Sequence, residues 1–252
     1  MPVVMVTAGA SRMGWGVGKR MLEMGWDVVL TDINEARLRE VSADLGGAPR
    51  VTWEILDFTR LADVEASVKR IADKWGGVDA MVNIGGGVRT MGLEARVDFT
   101  EVPPDAWQKI LNANLYGIFN CVHAVLPYMI KARKGGIVNV SSGMGLRGRA
   151  KIALYSAAKG AVIAFGQSVA QEVAPYGIRV NTLAPGNAES VWKPDVGSFA
   201  YDGQTDATAR KTPLGTRASA MDIGNAVGFL LSDKSKHITG NCLDTSGGTS
   251  LH

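Results

Sequence analysis

Val3-Val4-Met5-Val6-Thr7-Ala8-Gly9-Ala10-Ser11-Arg12-Met13-Gly14 is an apolar, β-branched run that passes directly into a glycine-bearing turn. A stretch of helical period follows at 14–24, and a second apolar run at 28–30. A turn of this kind at a helix N-terminus gathers backbone N–H groups and the positive end of the helix dipole, which suits a pyrophosphate. Asp32, in Leu30-Thr31-Asp32, closes the second run about eighteen residues beyond Gly14. A carboxylate there accepts hydrogen bonds from ribose hydroxyls. The alternative for Asp32 is an ordinary cap of the next helix.

Outward from this segment the same alternation continues. Strand-like runs at 3–6, 28–30, 51–55, 80–82, 137–140, 178–180 and 242–244 are separated by helical patterns at 14–24, 35–45, 61–75, 105–131, 152–174 and 220–231. Nearly continuous apolar strands, each followed by a helix, are strands buried on both faces of a parallel sheet. Right-handed crossovers then give an α/β fold, a doubly wound Rossmann-type parallel sheet with helices on both faces. No composition break marks a second domain, so 1–252 reads as one domain. The segment 185–217 departs from the rhythm, with Gly186, Gly197, Gly203 and Gly215 and the aromatics Trp192, Phe199 and Tyr201. A loop this long is expected to be a substrate lid.

The 252 residues are 46% hydrophobic and 20% charged, enough to bury a core without disulfides or structural metal. A net charge of +3 is too weak and too dispersed for nucleic acid binding. Cys121 and Cys242 form no framework and no CxxC, which fits a reducing compartment. No apolar stretch is long enough to span a membrane, and the N-terminal residues do not resemble a signal peptide. A cytoplasmic location is expected, with no metal, membrane or nucleic acid partner.

Tyr155-Ser156-Ala157-Ala158-Lys159 places a phenol and an ammonium four residues apart, on one face of a helix. An unperturbed tyrosine, with a pKa near 10, is a poor base at neutral pH. A cation at about 4 Å, in an effective dielectric near 20, stabilises the phenolate by roughly 4 kcal/mol, or about three pKa units. The pair is therefore a candidate acid/base.

In these motifs the chain resembles the short-chain dehydrogenase/reductase family over nearly its whole length. Ser142, in Ile137-Val138-Asn139-Val140-Ser141-Ser142, lies thirteen residues before Tyr155, where the family's catalytic serine sits. Asn114 matches the catalytic asparagine, Asn83-Ile84-Gly85-Gly86 the NNAG turn, and Asp57 the acid at the adenine. Pro185-Gly186 with Ser190 resembles the nicotinamide-binding turn, and Ile238-Thr239-Gly240 with Gly247-Gly248 the C-terminal signature. The resemblance implies that Tyr155 exchanges a proton with the alcohol or carbonyl oxygen. It also implies that Lys159 lowers the tyrosine pKa and holds the nicotinamide ribose. Ser142 would bind the substrate oxygen, and Asn114 would order a water leading from Lys159 to solvent. Ser141 is the neighbouring alternative to Ser142. The implied cofactor-binding set is Gly9, Arg12, Met13, Gly14, Asp32, Asp57, Phe58, Asn83, Gly85, Tyr155, Lys159, Pro185, Gly186, Ala188 and Ser190.

Two turns depart from the family pattern. With Gly14 as the last of three turn glycines, Ala8 holds the first place and Arg12 the middle one. Arg12 either swings outward, pairs with a phosphate or accompanies a remodelled turn. Ile84 and Gly85 replace the usual asparagine and alanine of the second turn.

The expected function is NAD-dependent interconversion of a secondary alcohol and a ketone. The first alternative is 3-oxoacyl thioester reduction, which would more naturally use NADPH; Asp32 argues against NADP. The second is a nucleotide sensor on the same fold, which has no need of Asn114, Ser142, Tyr155 and Lys159 together. An epimerase or dehydratase usually has a larger substrate domain than this chain offers. Met91, Gly143, Met144, Asn187 and Trp192 are the residues expected to face substrate, with Arg147, Arg149, Lys193, Arg210 and Lys211 available to an anionic tail. Family resemblance implies a homotetramer.

Overall fold

The computed structural model describes residues 1–87, 96–188 and 212–250. The expected substrate and cofactor residues Met91, Ser190 and Trp192, and Lys193, Arg210 and Lys211, lie outside them, as does all but the two ends of the expected lid.

The strands are β1 (Val3–Thr7), β2 (Asp27–Asp32), β3 (Val51–Ile55), β4 (Ala80–Asn83), β5 (Gly135–Val140), β6 (Ile178–Pro185) and β7 (Cys242–Thr245). They form one sheet in the order β3-β2-β1-β4-β5-β6-β7, and every pair is parallel. This is the doubly wound sheet expected from the sequence. The helices are α1 (Arg12–Glu23), α2 (Glu35–Asp44), α3 (Leu61–Trp75), α4 (Pro104–Leu111), α5 (Gly117–Ala132), α6 (Gly143–Arg147), α7 (Ala153–Val173) and α8 (Ala220–Leu231).

The period-two alternation of the strands divides the core. Val3, Met5, Val29, Met81, Ile137 and Val180 face α3, α5 and α7. Val4, Val6, Val28, Leu30, Val82 and Val138 face α1, α2 and α8. Consecutive residues point to opposite faces, so both layers need apolar side chains, which is why the strands read as unbroken apolar runs.

One expected helix is corrected. The pattern at 105–131 is two α-helices joined by a π-turn, Asn112–Tyr116. The turn contains Asn114, whose Nδ2 donates to Ile110 O at 2.9 Å while its Oδ1 accepts from Gly87 N at 2.8 Å. An inserted residue of this kind turns one side chain off the regular helical face, and such bulges cluster at functional sites.

The strand order reverses at β1, which lies between β2 and β4. In such sheets the crevice beyond the carboxyl ends of the diverging strands receives ligands. Register brings those ends level: Val82 pairs with Val138, Asn83 with Asn139 and Val140 with Leu183. The chain leaving β1, β4, β5 and β6 therefore emerges at one edge.

Candidate active site

The turn after β1 is built as the register with Gly14 last requires. Ala8 takes φ +47°, the left-handed conformation that favours glycine, so the first glycine's place is held by alanine at a conformational cost. A Cβ on Gly14 would lie 2.7 Å from both Cα and O of Gly9, so only glycine lets α1 approach β1 this closely. Ser11 caps α1, its Oγ accepting from Gly14 N at 3.0 Å. Met13 packs its side chain against the core and Arg12 is half-buried, so both bring their backbone to the first turn of α1.

Asp32 ends β2 and is tied to this turn: its Oδ2 accepts from Ala10 N at 3.3 Å, and its Oδ1 from Asn34 N at 3.0 Å. The cap of α2 is Asn34, not Asp32. Burial pushes the Asp32 carboxyl above its ordinary value, against the pull of those backbone donors and Arg37. Turn, helix terminus and carboxylate thus converge as a dinucleotide's pyrophosphate and ribose require, and these residues fit that group.

Three residues of the expected cofactor set also make contacts within the fold. The Asp57 carboxylate accepts from Thr59 N at 3.0 Å and Thr59 Oγ1 at 2.6 Å, closing its own turn. The Phe58 ring fills the space left by the missing side chains of Gly85 and Gly117, so it packs β4 against α5. Asn83, wholly buried, donates through Nδ2 to Asn139 Oδ1 at 2.8 Å and braces the sheet beneath the crevice.

The catalytic candidates gather at the ends of β5 and α7. The adjacent hydroxyls separate cleanly. Ser141 is buried and donates to Lys159 O at 2.7 Å, locking the end of β5 to α7. Ser142 caps α6, accepts from Met144 N at 3.2 Å and neighbours the Tyr155 phenol, whose pKa it lowers. A Cβ on Gly145 would meet the Lys159 backbone at 2.6 Å, so this glycine lets the Ser142 turn approach α7. Tyr155 is 7% exposed and packs with Val102, Ile110, Ile152 and Met144. The π-turn delivers Asn114 to the same edge. All four candidates are therefore together.

The expected electrostatic link from Lys159 to Tyr155 is corrected. Burial raises the Tyr155 phenol above its usual value, and the lowering influence on it is the Ser142 hydroxyl. Lys159 instead turns its Nζ between Gly85 O at 2.8 Å and Val140 O at 3.0 Å. Its burial lowers its pKa to about 7, so near neutrality it carries only part of a unit charge.

This burial has a pH signature. Below pH 7 the lysine is protonated both folded and unfolded, and the full desolvation penalty falls on the folded state. Between about 7 and its unfolded value of 10.5 the folded side chain is neutral while the unfolded one stays charged, so stability rises with pH. The stability of Lys159→Met relative to the wild type is therefore highest in acid, and it falls by up to about 1.4 kcal/mol per pH unit through this window. Denaturant melts across the pH range check this; a gap independent of pH overturns it.

Pro185 ends β6. Gly186 lies so close to the residues after β7 that a Cβ would stand 2.7 Å from Ser246 Cα. Ala188 bridges to Ala218, and Asn187 is exposed. Arg147 and Arg149 are exposed as well. Among the described residues no cluster of metal-ligating side chains occurs, and no helix is long and apolar enough to cross a membrane. Sequence reasoning missed Gly87, which holds Asn114, and Ser250, which reaches Gly143; neither carries a motif.

A family profile described as enoyl-(acyl carrier protein) reductase matches residues 8–250. The chain is 36% identical to the 3-oxoacyl-(acyl-carrier-protein) reductase FabG of Vibrio cholerae, over 98% of this chain and 96% of that protein. It is 32% identical to the protein of that name from Thermotoga maritima, over 98% and 96%. Among solved structures, an NAD+-bound xylitol dehydrogenase superposes with a TM-score of 0.85 at 27% identity, covering 98% of each chain. An actinorhodin polyketide ketoreductase with NADPH superposes at 0.89 and 25% identity, over 100% of this chain and 98% of that one. With its Ser142, Tyr155, Lys159 and Asn114 in place on a doubly wound sheet, the chain belongs to the short-chain dehydrogenase/reductase family, an oxidoreductase acting between ketone and alcohol with a nicotinamide dinucleotide.

Proposed function

We propose that the protein reduces the ketone of a 3-oxoacyl thioester to the alcohol, using NADH. The neighbouring hydroxyls of Ser142 and Tyr155, one oriented by Met144 N–H and the other by its packed ring, carry this reading. Two O–H groups at one point suit a carbonyl oxygen, which accepts both and takes on negative charge as it is reduced. The curated relatives, similar over nearly the whole chain, are named for 3-oxoacyl reduction, which supports the thioester over the free secondary alcohol expected from the sequence.

The bound nicotinamide supplies the hydride; the chain's residues bind, orient and move the proton. Because burial raises the Tyr155 phenol, it is protonated at neutral pH and stands ready as proton donor, which supports the reductive direction. Ser142, its oxygen fixed by Met144 N–H, holds the carbonyl oxygen. The family resemblance assigns Asn114 and Lys159, both buried beside this site, to the proton's route to solvent. The Gly9–Gly14 turn, Asp32, Gly85, Pro185, Gly186 and Ala188 would hold the dinucleotide, and Ser190 is assigned with them from the family motif.

Following nicotinamide absorbance with 3-oxoacyl thioesters, free cyclic ketones and enoyl thioesters tests this reading. The expected result is a kcat/KM at least about tenfold higher for the 3-oxoacyl thioester than for any free ketone, and none for the enoyl compound. Turnover of free ketones alone would restore the secondary-alcohol reading, and turnover of none would favour a nucleotide sensor.

A further inference from the structure

We propose that Ser250, in the segment after β7, is a positioning residue that sets the orientation of Ser142 through a single peptide unit. Ser250 Oγ donates to Gly143 O at 3.4 Å. Gly143 C=O and Met144 N–H belong to the same peptide group, and that N–H donates to Ser142 Oγ at 3.2 Å. One hydroxyl therefore grips one end of a peptide plane whose other end grips the substrate-facing serine. Hydrogen bonds in such a chain polarise one another, so the contact fixes the plane and strengthens the donor at its far side.

Ser250 is itself held for this role. It is 3% exposed, and its backbone N–H donates to Ser246 Oγ at 3.0 Å. Ser246 in turn donates through its N–H and its hydroxyl to the Asp244 carboxylate, at 2.7 and 3.0 Å. The relay thus starts on β7 and ends at the catalytic serine, more than a hundred residues away in sequence. Crowding reports the same closeness: a Cβ on Gly143 would overlap Ser250 Oγ, and Pro185 O lies 3.7 Å from that position. Ser250 hydrogen-bonds Ser246 and Gly143 and neither Tyr155 nor Lys159, so its influence runs through Gly143.

The inference rests on the reading of Ser142 as the hydroxyl that binds the substrate oxygen, and a double-mutant cycle separates the two. Ser142→Ala should lower kcat about a hundredfold. Ser250→Ala should lower kcat about fivefold to tenfold, leaving the KM for the nicotinamide cofactor within about twofold. The two losses should not add: Ser142→Ala/Ser250→Ala should match Ser142→Ala, because a positioned group that is gone cannot be mispositioned. Gly143→Ala gives an independent arm, losing activity through its clash and regaining part of it when Ser250→Ala is added. Full turnover by Ser142→Ala would end the functional reading and this inference with it. Loss in Ser142→Ala but not in Ser250→Ala would overturn the inference alone. So would an undiminished Ser250→Ala loss in the Ser142→Ala background, which would mark a general structural effect.

Discussion

Tyr155→Phe keeps the nicotinamide cofactor bound and loses turnover by about 10² to 10⁴-fold, the range a positioned general acid supplies. The substitution removes one oxygen from a ring packed by Val102, Ile110, Ile152 and Met144, so the surroundings have no reason to move. It also removes the hydroxyl beside Ser142, whose own hydroxyl remains oriented by Met144 N–H. Ground-state contacts to the cofactor should therefore survive while the proton donor does not, which places the loss in kcat with little change in cofactor KM. The raised phenol pKa adds a direction. Ketone reduction needs the protonated form and should fall as pH rises through the Tyr155 value, whereas alcohol oxidation should gain over the same interval. Steady-state rates in both directions across pH check this. Wild-type turnover by Tyr155→Phe, or parallel pH profiles in the two directions, would remove Tyr155 from the role.

The strands were legible because both faces of the sheet are buried. Val3 to Val6 must satisfy two opposite cores, and that leaves an unbroken apolar run in the sequence. The π-turn was not legible, since Asn112-Ala113-Asn114-Leu115 contains no breaker and its inserted residue shows only once Asn114 binds Ile110 O and Gly87 N–H. The adjacent hydroxyls at 141 and 142 were distinguishable only by motif spacing. The physical distinction comes from alternate residues leaving the end of β5 in opposite directions, one to Lys159 O and one to Tyr155. Helical spacing put Lys159 on the face of Tyr155. It did not register the carbonyls at the ends of β4 and β5, which capture the ammonium.

Asp32 is expected to make the enzyme prefer NAD(H) over NADP(H), and the expected preference follows from how its carboxylate is held. The two cofactors differ by one phosphate on the adenosine ribose, which in this fold lies beside the end of β2. The solved relatives divide, one holding NAD+ and the other NADPH, so the local residues must decide. Ala10 N–H and Asn34 N–H pin both oxygens of the Asp32 carboxylate at this point, so it cannot swing clear of a bulkier ligand without giving up two hydrogen bonds. It is also partly desolvated, as its raised pKa records. A phosphate brought against a fixed, partly buried carboxylate costs several kcal/mol through like-charge repulsion, while NAD offers the same oxygens two hydroxyl donors. Ile33 and Asn34 follow Asp32 and bring no cation; Arg12 is the basic residue of the turn, and Arg37 already acts on the Asp32 carboxyl. Binding at 100 times the dissociation constant stabilises a fold by about 2.7 kcal/mol, so melting shifts at matched concentrations resolve the preference without any turnover. NAD(H) should give the larger shift, and Asp32→Ala should narrow the difference by weakening NAD(H) and relieving NADP(H). Equal or larger shifts with NADP(H) in the wild type would mean that Arg12 turns the site toward the phosphate despite the carboxylate beside it.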